Sequence, residues 1–151
     1  MPVYSATFTR TADATKSVGV LTAATSNPRR AAIIAFGYGH SGAQTDVAFL
    51  WQMQRCTSAG TAGSAVTPQA LDPADTIAAT MVGGQAHTTD PTLTASAILH
   101  DKPLHCRASF EVELSPRRII YTPATASNGL AFRTPTAGSA IAVSCFAHFL
   151  E

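Results

Sequence analysis

The chain is 151 residues long, 46% hydrophobic and only 13% charged, with a net charge of +1. One domain of that length buries enough surface to fold without disulfides or a metal, and its charge content lies well below the roughly 25% of an average soluble domain. Ten scattered basic residues, paired only at Arg29-Arg30 and Arg117-Arg118, form no stripe of the kind a nucleic-acid binder presents, and the longest strongly apolar run, residues 31–36, is far too short to span a membrane.

Read in chain order, the segments beat with a period of two, as strands do when one face packs on a core. Residues 3–9 form a first strand with Tyr4, Ala6 and Phe8 on one side, and residues 16–21 a second with Val18 and Val20 pointing together. A Ser26-Asn27-Pro28 turn leads into a strand over 30–38, which Gly37, Gly39 and Gly42 are expected to break. Residues 47–56 alternate Val47, Phe49, Trp51 and Met53 against Gln52 and Gln54. The pattern then lapses over 57–87: Gly60, Gly63 and Pro68 open a long loop, and 76–82 reads as one or two helical turns capped by Asp72 or Asp75 and ended by Gly83-Gly84. Strands resume at 93–100, with Leu93, Ala95, Ala97 and Leu99 in step. They continue at 105–114, where Cys106, Ala108, Phe110, Val112 and Leu114 oppose Arg107, Ser109, Glu111 and Glu113. Short strands at 119–122 and 130–134 flank a hairpin-type Asn128-Gly129, and residues 139–150 close the chain with Ile141, Val143, Cys145, Ala147 and Phe149 aligned. About nine strands at this spacing predict an all-β, antiparallel sandwich or jelly-roll-like domain over residues 1–151, with one long loop or short helix around 57–87.

Chemistry-bearing residues are sparse. His100, Asp101 and His105 are the nearest thing to a metal set, but the histidines straddle an Asp101-Lys102-Pro103 segment that reads as a solvated loop, and no cofactor is expected. Gly39-His40-Ser41-Gly42 lacks the spacing of a nucleophile elbow and reads as a turn. Glu111 and Glu113 share one strand face, whereas glycosidic chemistry needs carboxylates on opposite walls. Trp51 and Phe49 read as core residues rather than a sugar platform. Cys56, Cys106 and Cys145, odd in number and without zinc spacing, read as buried free thiols from a reducing compartment, and the opening residues lack a basic leader and apolar run of the secretory kind. With no catalytic constellation to favour an enzyme, the remaining candidates are interface residues: Arg29, Arg30, Arg117 and Arg118, each in or beside a turn, where solvation is the equal alternative.

The segment from Gly63 to Asp75 (GSAVTPQALDPAD), the opening Tyr4-x-Ala6-x-Phe8 strand and the closing SCFAHFLE strand together resemble small all-β virion proteins of tailed bacteriophages, several of which are head decoration, or cement, proteins with jelly-roll-like folds. The resemblance runs loosely from end to end, and no functional residue carries over from it. It implies a homo-oligomer, often a trimer, made in the host cytoplasm. It would sit on the outer capsid surface, bind the major capsid protein, and engage neither nucleic acid nor membrane. Two alternatives stand beside it. One is a tail-tip or fibre jelly roll that binds a carbohydrate or receptor through an exposed aromatic surface near Trp51 or Tyr38. The other is a different head–tail structural component.

Overall fold

The computed structural model describes residues 1–43, 45–138 and 140–151, and among them every regular element is a strand. Twelve strands follow one another: β1 (Val3–Thr11), β2 (Ser17–Ala23), β3 (Ala32–His40), β4 (Ala48–Cys56), β5 (Ser64–Val66), β6 (Gln69–Ala70), β7 (Met81–Gln85), β8 (Leu93–His105), β9 (Phe110–Glu113), β10 (Ile120–Tyr121), β11 (Gly129–Arg133) and β12 (Ala142–Leu150). They build two antiparallel sheets. Sheet A runs β10-β3-β12-β1-β6, with β9 also on β3, and sheet B runs β5-β7-β2-β11-β4-β8. The fold is an all-β sandwich.

Dyad alternation explains the core. Tyr4, Ala6 and Phe8 of β1 and Val143, Cys145, Ala147 and Phe149 of β12 are all buried, and the register sets Tyr4 opposite Phe149 and Phe8 opposite Cys145. Side chains from sheet B meet them across the layer: Phe132 lies 5.9 Å from Phe8, and Trp51 stacks on Tyr38 at 4.8 Å with the rings 8° apart. Aromatic rings in offset stacks add to the area term that drives burial. Gly19 faces Phe8 so closely that any β-carbon there would overlap the ring, so the two sheets can approach only with glycine at that position.

Several expectations are revised. The strongest alternation, 105–114, is not one strand: β8 ends at His105, a turn closed by Ala108 N–H to His105 C=O (2.9 Å) follows, and β9 begins at Phe110 in the other sheet. Both sheets share one core, so Cys106 before the turn and Phe110 and Val112 after it face inward, while Ala108 within the turn is exposed. Asp101-Lys102-Pro103 is strand rather than loop, because β8 is an edge strand and an edge tolerates proline and charge. Leu93 and Leu99 are not in step. Register shifts and a positive φ of 57° at Ser96 turn Leu93 to the outer cluster of Val20, Cys56 and Ala131, while Leu99 packs on the main core. A bulge in β2 likewise separates Val18, which joins the main core, from Val20, which does not.

β3 runs unbroken through Gly37 and Gly39; at Gly37 a β-carbon would strike the ring of Phe146, so the glycine admits a neighbour rather than ending the strand. The three strands beyond the expected set, β5 to β7, all lie in the 57–87 excursion. No helix forms at 76–82: residues 75–79 are irregular and Gly83-Gly84 sit inside β7, where a β-carbon on Gly83 would lie 2.7 Å from the Val66 carbonyl of β5. Asn128-Gly129 is no hairpin either, because β10 belongs to sheet A and β11 to sheet B; the left-handed residue of that loop is Ser127, with φ 61°. The closing strand begins at Ala142, and Ser139, its expected start, lies outside the described residues.

Candidate interaction site at the open flank

The two flanks of the sandwich end differently. On one, the chain after β6 folds back over the gap between the sheets. Leu71 N–H donates to the Val3 carbonyl (2.8 Å), the Tyr4 hydroxyl donates to the Ile77 carbonyl (2.8 Å), and the Glu151 carboxylate accepts from Thr80 N–H (2.7 Å), the Thr80 hydroxyl (3.0 Å) and Met81 N–H (2.6 Å). This strap, residues 71–80, closes the core with satisfied polar groups.

The other flank has no strap. There β3 carries β9 and β10 one after the other along a single edge, with Leu114 N–H bonded to the Ile34 carbonyl between them (2.7 Å) and the Ser115–Arg118 turn projecting from that edge. Across the gap stands β8, thirteen residues long and paired on one side only, to β4. Between these edges opens a groove of about 470 Å³. Phe110, Val112, Leu114 and Ile120 line it from sheet A and Leu99 from sheet B, all half-buried against the main core. The core thus reaches solvent here instead of being covered.

His100 forms one wall. Its Nδ1 lies 3.3 Å from the Tyr38 hydroxyl and its ring packs edge-on against Phe36 at 5.0 Å. Burial depresses its pKa below the usual imidazole range, Lys102 depresses it further and Asp101 opposes them. Burial also raises the Tyr38 phenol, helped by Cys145 and Asp101, so the phenol stays a hydroxyl. Lys102 reaches over the Phe110 ring, its Nζ 5.4 Å from the centroid, and Arg118 stands at the rim. Neither cation is in an ion pair: the ion pairs among the described residues are Arg10–Asp13 at 3.5 Å and His105–Asp46 at 3.1 Å.

Of the four arginines singled out by sequence, all are exposed, and the fold sets both pairs beside the β10–β3 edge. Arg118 borders the groove, and the Arg30 guanidinium stacks 3.9 Å above the Tyr121 ring. Arg29 and Arg117 do not line the groove. Glu111 and Glu113 are exposed on the opposite face of β9 from Phe110 and Val112. His100, Asp101 and His105 do not converge, and no group of three metal-ligating side chains is gathered among the described residues. His40 closes β3, followed by a bend in which Ser41 N–H donates to the Ala142 carbonyl (2.9 Å). Trp51 and Phe49 are core residues, as expected. Tyr38 is buried too, so the exposed aromatic surface proposed for a sugar binder is absent at the residues that were to supply it. The three cysteines are free and buried; burial pushes Cys56 up to about 12 and raises Cys145 further from reactivity.

What sequence reasoning missed is the groove itself and the Glu151 clamp opposite it. Alternation put Val112, Leu114 and Leu99 on the apolar side of their strands, but it carries no information about where the facing sheet stops. Against protein-family models, curated proteins and solved structures the chain finds no match.

Proposed function

We propose that the protein is a structural component of a virion, a capsid decoration protein that binds the major capsid protein from outside and stiffens the shell. The observation that carries this reading is the open flank: a rigid double-sheet module leaves an unfinished strip of core flanked by unpaired cations, which suits a subunit that assembles side by side with neighbouring copies on a shell. The remaining support is the resemblance to small all-β virion proteins and a low surface charge suited to close packing. On this reading the role is mechanical rather than catalytic: many modest contacts repeated over a lattice clamp neighbouring capsomers, and avidity supplies a stability that no single contact could.

The test is addition of the purified protein to expanded shells of the major capsid protein. Saturable binding and a higher disruption temperature support the role. Shells that neither bind the protein nor gain heat or osmotic resistance remove it.

A further inference from the structure

We propose that the occupant of the open-flank groove is the strap of a second copy of this chain, so that copies associate head to tail. This deepens the oligomeric part of the reading above, and it stands on two complementary surfaces at opposite flanks of the sandwich.

The groove needs a partner that offers apolar bulk together with negative charge. Its lining is half-buried hydrocarbon and aromatic ring, and its rim carries Arg118 and Lys102 without counter-charges. Glu111 and Glu113 face away on the outer side of sheet A, and Asp101 alternates away from His100 on β8. An apolar lid alone would strand those cations out of water, and a charged segment alone would leave the hydrocarbon exposed. A segment that combines both satisfies the whole groove.

Such a segment is on this chain. In the strap, Leu71 is 52% and Ile77 65% exposed, the largest such exposures among big apolar side chains apart from Met1. Between them stand Asp72 and Asp75, both exposed and in no ion pair among the described residues. The strap is held in a fixed shape without using these groups outward: Asp72 accepts the Ala74 N–H (2.9 Å), the Asp75 N–H returns to the Asp72 carbonyl (3.0 Å), and the Ile77 carbonyl is tied to Tyr4. A preformed loop loses little entropy on docking. Because strap and groove are different surfaces on opposite flanks, the contact is heterologous; repeated, it closes into a ring when the rotation between copies divides a full turn.

Sedimentation velocity over a wide concentration range tests this with charge-swapped chains. The wild type is expected to self-associate. A groove variant (Arg118→Glu with Lys102→Glu) and a strap variant (Asp72→Lys with Asp75→Lys) should each weaken association by roughly tenfold or more, and the chain carrying all four changes should recover it. Ile77→Ser removes only an exposed side chain and should also weaken association, whereas Lys16→Glu, remote from both surfaces, should not. A wild type that stays monomeric at every concentration overturns the inference. So does association indifferent to the groove and strap variants, or failure of the four-change chain, folded by circular dichroism, to recover. Shell binding is scored separately. An oligomer that ignores capsid shells leaves this contact standing and removes the decoration role; a monomer that binds shells does the reverse.

Discussion

The two flanks of this sandwich solve one problem in opposite ways. Where two sheets end, the hydrocarbon between them must be covered. At the β6–β7 flank the chain covers it with its own strap, pinned by Tyr4 and by the three donors that converge on Glu151. At the β8–β9 flank it leaves Leu99, Val112, Leu114 and Ile120 half-buried under a rim of unpaired cations. The covered side is held by its own hydrogen bonds, whereas the uncovered side leaves apolar side chains in contact with solvent.

The contrast can be broken at graded positions. The largest effect belongs to Trp51, which is fully buried and stacked on Tyr38 just inside the open flank. Trp51→Ala should cost about 3–5 kcal/mol in denaturant unfolding, which shows that the core proper ends inside the groove and not at its rim. Next is the covered side. Glu151→Ala removes a charged acceptor from Thr80 and Met81 and should cost about 2 kcal/mol, with faster amide exchange confined to the strap.

Acid should find a third position. His87 is buried, and burial holds its pKa below the usual value; the Ala59 backbone and then Asp90 oppose this, and Arg10 adds to it more weakly. A histidine depressed in the folded state takes up its proton more readily when unfolded. Its contribution is therefore constant above a pH of about 6.5 and falls as the pH drops below that. Thermal melts should show this loss, and His87→Leu should flatten it. The smallest effect is expected on the groove wall: Val112→Ser should change stability by about 1 kcal/mol or less, because its side chain is only half-buried. If Val112→Ser destabilises as much as Trp51→Ala, the flank is core and not surface.

Much of the sandwich was legible because dyad alternation is a local signal, and β1, β4 and β12 lie close to where it places them. The same signal misled at Cys106, where β8 has already ended and the chain turns through exposed Ala108 into the other sheet, and at Val18 and Ser96, where bulges reverse a face without altering composition. β5 to β7 were silent because Ser, Ala and Gly have little strand preference; Gly83 is strand because only glycine lets the Val66 carbonyl come so near. Arg118 was singled out from its doublet with Arg117. Its neighbours in the groove were not, since exposure at a flank depends on the relative widths of two sheets assembled from distant segments.

Amide hydrogen exchange compared between dilute and concentrated protein tests the central claim most directly, because it locates contacts without altering a residue. The account predicts added protection across Leu93–His105, across 110–121 and across 71–78, with β1, β2, β11 and β12 unchanged. Protection gained instead on the outer face of sheet A, around Ser144, Phe146 and His148, or none at either flank, would contradict it.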